Sequence, residues 1–391
     1  RSTRPWPDQL NRIVFSLPSS LACLMALATF SVNRSLAACA TVDFAPPAVP
    51  PLEGHAQFDI ESIEPLALST EMKQFVAARM GGSERSPERA WRMAHAMLDP
   101  WLFPFEYDPR ITLTAREAFR TRRGNCLTFS NLLVAMAREA GLEAWFREVE
   151  IPPEWSSVDD TLLVSMHVNA AVSDGGEAFV VDASRREEKP GDRVRRISDS
   201  EAEAQFYNNL GADALVADDL ALAHAYLRKA AETDARLAYV WSNLGVVLRR
   251  NGQTADAILA YETALRLDPR STFALNNLYT IYDEDGVHEK AAKLQTRVER
   301  NRRRNPYYLH HLAELSAEQR DWQEAIDYSR RAIELKGDEY RFHYTLAQMQ
   351  FRAGKVAEAE TNLATARLLA PPAVDTNELS LPGELPRPGG G

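Results

Sequence analysis

Arg122-Arg123-Gly124-Asn125-Cys126-Leu127-Thr128-Phe129-Ser130 contains the only cysteine beyond residue 39 of this 391-residue chain. The stretch reads as a loop turning into a helix, with the cysteine at the start of the helix. Two arginines bring positive charge beside it, and Gly124 leaves room for another chain to approach the backbone. A helix N-terminus carries partial positive charge, which favours thiolate over thiol. A thiol nucleophile is the expectation. From Cys126 to Ala140 apolar residues run nearly all round the predicted helix, including Leu127, Phe129, Leu132, Leu133, Val134, Met136 and Ala137. Such a helix is buried, and Gly141 suits its C-terminal cap. Burial holds the sulfur rigidly, as a nucleophile requires.

The stretch upstream is helical. Ser69 caps a helix over Leu68 to Met80 that Gly81-Gly82 ends. Ser86-Pro87 opens a second, with Ala90, Met93, Ala94 and Met97 as its apolar stripe and Asp99-Pro100 as its stop. Thr114-Ala115-Arg116-Glu117 is a capping box, so a short helix begins there.

Three strands are expected downstream, over Glu143 to Glu150, Leu162 to Val172 and Glu177 to Ala183. On the second, Leu162, Val164, Met166, Val168 and Ala170 form one face, and His167 shares the other with Ser165 and Asn169. On the third, Asp182 interrupts apolar residues and needs a partner, because burying a lone carboxylate is costly. If Asp174-Gly175 forms a tight hairpin turn, His167 and Asp182 lie directly opposite one another. That register predicts a hydrogen bond between them. The chemistry expected of Cys126, His167 and Asp182 is nucleophilic acyl transfer: the imidazole takes the thiol proton, and the carboxylate orients the ring. The backbone N–H of Cys126 is the expected oxyanion donor. A bland reading stands beside this one, with the cysteine packed in a core and the histidine satisfied there. One Cys, one His and one Asp without close spacing make a poor zinc set, and no cofactor motif is present.

Thr114-Ala-Arg-Glu-Ala-Phe-x-x-Arg-x-Gly-Asn-Cys126, then Met166-His167-Val168, then Val181-Asp182 resemble the transglutaminase-like superfamily, over roughly Leu68 to Ser184. The resemblance implies a papain-like α+β fold with Cys126 as nucleophile, His167 as base and Asp182 as orienting acid. Bacterial members of the family often look more like peptidases or amidases than crosslinkers. Gly124-Asn125-Cys126-Leu127 stands where animal transglutaminases have Gly-Gln-Cys-Trp, which points toward hydrolysis. Trp101 and Trp145 are candidates for a substrate or oxyanion wall, with a core role as the plainer reading.

Beyond this region the sequence repeats. Leu210, Leu244, Leu278, Leu312 and Leu346 recur every 34 residues, as do Ala223, Ala257, Ala291, Ala325 and Ala359. Five units are expected to begin near Ala204, Ala238, Thr272, Pro306 and Tyr340. The second, with Trp241, Leu244, Gly245, Ala257, Tyr261, Ala264 and Pro269, resembles the tetratricopeptide repeat. In such units small residues let paired helices approach, and large ones fill the gaps between neighbours. An all-α solenoid that binds a protein or peptide is the implied role. Tyr279 replaces the glycine in the third unit, and Arg300 to Arg304 makes a basic helix end.

A net charge of -10 argues against nucleic acid as the main partner. Residues 1–39 read as an exported leader: Arg1, Arg4 and Arg12, then an apolar run from Leu21 to Phe30, then Leu36-Ala37-Ala38-Cys39. The last four resemble a bacterial lipobox, which implies a lipidated Cys39 and membrane attachment. An ordinary cut around Ala38-Cys39-Ala40 and a retained helix over Ile13 to Val32 are the alternatives, and all three place the body outside the cytoplasm. With Cys23 and Cys39 in the leader, no disulfide framework is available to the rest of the chain. The expected layout is leader 1–39, Pro-rich linker 40–57, thiol domain 58–190, repeats 204–371 and a disordered tail 372–391. The function read from this layout is an exported thiol hydrolase or acyltransferase with a protein-binding scaffold. The rival is an inactive scaffold or assembly factor of the cell envelope.

Overall fold

The computed structural model describes residues 45–56, 59–80, 87–158, 161–176, 178–184, 193–370, 374, 376 and 379–381. The leader, with Cys23 and Cys39, lies outside the described residues, as do Gly81-Gly82 and Ser86. The chain divides into two compact units, one formed by 1–153 and 165–253 and the other by 154–164 and 254–391.

The first unit begins with α1 (Thr70–Arg79), whose cap Ser69 accepts from Met72 N, and α2 (Pro87–Leu98). Ala90, Met93, Ala94 and Met97 are buried. A two-residue strand β1 (Glu106–Tyr107) pairs in parallel with β2 (Arg123–Gly124). Between them lies α3 (Ala115–Thr121), whose capping box pairs Thr114 and Glu117 reciprocally. Next comes α4 (Cys126–Glu139), in which every residue from Leu127 to Ala137 is buried. Its apolar residues and short polar ones therefore face protein on all sides, as expected of a central helix.

A four-stranded sheet follows, in the order β5-β4-β3-β6. Its strands are β3 (Glu143–Val158), β4 (Thr161–Ser173), β5 (Ala178–Val181) and β6 (Arg193–Ile197). The sequence predicts only three strands and a boundary at residue 190. β6 lies beyond that boundary and pairs antiparallel with β3 from Phe146↔Ile197 to Glu150↔Arg193. Arg193-Val-Arg-Arg-Ile is too charged to read as a strand, yet charge suits an edge position. One of its arginines, Arg195, bonds to Glu148 on β3 and to Glu201 on α5 (Asp199–Val216). Glu148 also accepts from Gln205 Nε2 at 3.2 Å. The first repeat helix thus starts at Asp199, five residues before the expected unit, and is tied to the sheet through a shared cation.

α5, α6 (Leu220–Thr233) and α7 (Ala238–Arg250) complete this unit. Residues 50–53, part of the expected free linker, are seated on them. Pro50 O accepts from His224 Nε2 at 2.8 Å, and Pro51 O from Gln253 Nε2 at 3.0 Å. Glu53 N donates to Gln253 Oε1 at 2.9 Å, Glu53 O accepts from Asn251 Nδ2 at 2.9 Å, and Leu52 is buried. An extended segment that satisfies its backbone on remote side chains has no local periodicity to betray it.

The second unit holds α8 (Thr254–Leu267), α9 (Thr272–Glu284), α10 (His288–Arg302), α11 (Pro306–Glu318), α12 (Trp322–Leu335), α13 (Tyr340–Arg352) and α14 (Val356–Leu369). The recurring alanines work as the spacing implies: Ala257, Ala325 and Ala359 are fully buried, and so are Ala264, Ala332 and Ala366. Large residues fill between units, with Tyr307, Leu309 and Phe342 packed around Ala332. Tyr279 has its own role, since the Arg302 guanidinium lies 5.2 Å from its ring and 5.3 Å from that of Tyr308. The expected disordered tail is corrected in part. Leu379 and Leu381 are buried with Ala347, Ala359 and Leu363, and Arg367 donates to Leu379 O at 2.7 Å. The open end of the last helix pair is apolar, and these leucines cover it.

Candidate active site

Cys126 is the first residue of α4, and Asn125 is its cap. Asn125 Oδ1 accepts from Thr128 N at 2.9 Å, while its Nδ2 donates to Thr112 Oγ1 at 2.8 Å. The approach to the cysteine is laced to the loop after β1. Asp108 N donates to Gly124 O at 3.0 Å, and Asn125 N to Ile111 O at 2.8 Å. Thr128 Oγ1 closes the same loop by accepting from Leu113 N at 2.8 Å and donating to Ile111 O at 3.2 Å. One helical turn on, Ser130 Oγ donates to Cys126 O at 2.8 Å. The sulfur therefore stands on backbone that is bonded on both sides.

Gly124 serves this arrangement differently from the open approach expected of it. Its φ is +149°, and a Cβ there would lie 2.8 Å from Thr128 Cβ. Thr128 fills the space that the glycine leaves. Gly124→Ala is expected to destabilise the protein by about 2–4 kcal/mol, from backbone strain and the clash with Thr128. Urea denaturation monitored by circular dichroism measures the loss. An unchanged midpoint would mean that the start of α4 relaxes around the added methyl.

The two arginines are also placed otherwise than expected. Arg122 adopts a left-handed conformation as the C-cap of α3. Its guanidinium lies 3.8 Å from the Phe103 ring centroid and 4.2 Å from that of Phe119. Arg123 pairs with Asp108 at 3.4 Å. The positive charge that faces the thiol comes instead from the helix start and from His167.

His167, on β4, is buried. It contacts both other predicted residues: it bonds the Asp182 carboxylate through Nε2, and it is hydrogen-bonded to the Cys126 thiol. Nε2 is taken by Asp182, which leaves Nδ1 for the sulfur. Burial opposes the ring's charge, but the hydrogen bonds and negative charge of Asp182 and Cys126 outweigh it and push the His167 pKa up to about 10. Burial likewise raises Asp182, yet bonding to His167 and Ser184 holds it below the usual carboxylate range.

The hairpin register differs from the expected one by two residues. β4 and β5 pair from Ala170↔Val181 to Ser173↔Ala178, so four positions rather than two separate the last paired residues. Continued outward, that register sets Asp182 opposite Asn169. His167 is the diagonal neighbour on the same face, and its side chain is long enough to reach. A shift of two residues preserves the face of every side chain, which is why the expected hydrogen bond forms despite the wrong turn.

Two further residues belong to the constellation. Asn169 Nδ2 lies 3.4 Å from Asp182 Oδ2. Ser184 donates twice to Asp182 Oδ1, from N at 2.9 Å and from Oγ at 2.7 Å. Asp182-Ala183-Ser184 is a short side-chain-to-backbone turn, a signal that Asp-x-Ser carries in sequence. Of the tryptophans, Trp101 is 95% exposed, so the core reading fails for it, and Trp145 lies under the Arg196 guanidinium at 4.8 Å.

The description "Transglutaminase-like superfamily" matches residues 77–176, a span that includes Cys126 and His167 and stops short of Asp182. Tetratricopeptide repeat families match residues 238–271 and 310–371. No curated protein matches the chain. Among solved structures, MamA from Desulfovibrio magneticus RS-1 is 17% identical and covers 44% of this chain and 96% of its own, with a TM-score of 0.28. Pseudomonas aeruginosa pilF is 20% identical and covers 46% of this chain and 82% of its own, with a TM-score of 0.33.

Proposed function

For a chain that carries a transglutaminase-like core followed by tetratricopeptide repeats, we propose an exported thiol enzyme that cleaves amide bonds through an acyl-enzyme. The observation that carries this reading is the meeting of Cys126, His167 and Asp182 at one point from three separate elements. The thiolate attacks the amide carbonyl. The carbon–nitrogen bond breaks, and the amine leaves with the proton held by His167. Water then adds to the thioester, giving a carboxylate and restoring the thiol. Asp182 holds the ring and stabilises its charge through both half-reactions. First-turn N–H groups have no acceptor within their helix, so the start of α4 is suited to the oxyanion. The repeats hold a protein or peptide, and residues 1–39 direct export, with Cys39 as the lipid attachment point.

Peptide mixtures digested in oxygen-18 water test the reaction. Thioester hydrolysis places one heavy oxygen in each new carboxylate, and an added primary amine diverts product to the amide if transfer competes. Cys126→Ala and His167→Ala are expected to give neither product. If the wild-type chain gives no labelled carboxylate, no amide and no acyl-enzyme mass, the scaffold reading takes its place.

A further inference from the structure

A cavity of about 430 Å³ lies beside the site and borders it at two points. Phe129, one turn after Cys126 on α4, lines it, and so does Ala183, the residue after Asp182. Phe103 and Phe105 supply further apolar wall, and Phe105 packs edge-on against Phe129 with centroids 4.9 Å apart. The volume is in the range of small-molecule and side-chain pockets, and an aromatic side chain fits it.

The cavity also has a charged wall. Arg122 lines it, with its guanidinium carbon 3.8 Å from the Phe103 ring centroid and 4.2 Å from that of Phe119. Cation–π contact with two rings holds the guanidinium in place. Among the described residues no carboxylate pairs with Arg122, and its Nη1 is buried without a hydrogen-bond partner. Burial, and after it the positive charge of Arg79, lower the Arg122 pKa. The backbone of Arg122 is left-handed, at φ 58°, a conformation unusual for a long side chain and frequent at functional sites. Glu106 lies at the rim, exposed, with its N–H bonded to Arg122 O at 2.8 Å. A rim carboxylate opposes a second negative charge, so the pocket suits a ligand with a single anionic group at its inner end.

We infer that this cavity receives the acyl-donor side of the substrate, an aromatic or apolar side chain next to one carboxylate, with Arg122 as the residue that selects the carboxylate. The inference rests on the reading of Cys126 as nucleophile for its role, but not for the binding itself. Acyl donors of this class carry a free acid close to the scissile amide, and their neutral amide counterparts are poor ligands.

Binding of 3-phenylpropanoate and of 3-phenylpropanamide to the full chain, followed by ligand-observed NMR, tests it. The acid is expected to bind with a Kd of about 1 mM and the amide about ten-fold more weakly. Arg122→Gly, which suits the left-handed backbone, is expected to abolish the preference. Arg122→Lys should retain part of it, and Glu106→Gln should strengthen the acid about two- to three-fold. Equal binding of acid and amide overturns the inference, as does a preference that survives Arg122→Gly, or a wild-type protein that binds neither. Cys126→Ala must bind the acid as wild type does. A chain that binds the acid but forms no acyl-enzyme overturns the proposed function and leaves the pocket standing.

Discussion

His167→Ala is expected to slow alkylation of Cys126 by iodoacetamide by at least about ten-fold at about pH 6. In the wild-type protein the ring remains an imidazolium through neutral pH, because Asp182 and the sulfur together overcome its burial and raise its pKa to about 10. A cation fixed against the sulfur stabilises the negative charge that the sulfur carries when it attacks. The difference in rate between the wild-type protein and the variant therefore reports how far the imidazole activates the sulfur. Timed alkylation followed by mass mapping of the Cys126 peptide reads both rates. An unchanged rate in the variant would count against His167 as the group that activates the sulfur.

The second large effect is on stability against pH. The folded-state pKa of His167 is raised from 6.5 to about 10. Its contribution is therefore complete below about pH 6.5 and is lost as pH rises through about 10. Asp182 works in the opposite sense. Its folded pKa is depressed, so its contribution is present above the ordinary carboxylate value and disappears as pH falls through the folded one. The pair stabilises most in mildly acidic solution. The loss from about pH 6.5 to about pH 10 is on the order of 2–4 kcal/mol. Asp182→Asn removes the main attractive partner and lets the His167 pKa fall back. It should be less stable than wild type at neutral pH, and its alkaline loss should be less than half as large. Urea titrations at a series of pH values give the two slopes, and parallel slopes would refute the linkage.

Much of this site is legible in the sequence because each of its parts has a local signature. The capping box at Thr114, the polar cap at Asn125 and the unbroken apolar run after Cys126 specify where α3 and α4 begin. The repeats are more legible still: α7, α9, α11 and α13 start at Ala238, Thr272, Pro306 and Tyr340, at the spacing read from the recurring leucines and alanines. Features that depend on distant partners are not legible. The orientation of Arg122 is decided by two phenylalanine rings, one of them on the loop after α2. Residues 50–53 are decided by side chains at 224, 251 and 253. Asp174-Gly175 looks like a two-residue hairpin turn, but Arg89 binds Asp174 at 2.7 Å. A buried ion pair at the turn is a tertiary constraint that hairpin rules do not contain.

The seating of residues 50–53 on α6, Asn251 and Gln253 has a mechanical consequence. Tension applied just ahead of Pro50 meets the bond in which His224 holds its carbonyl, and then the clamp that Asn251 and Gln253 form on Glu53. That load passes into the repeat helices before it reaches α1 or the sheet. The elements that carry Cys126 and His167 sit downstream of a strain relief, so a pull on the N-terminal segment need not displace one from the other.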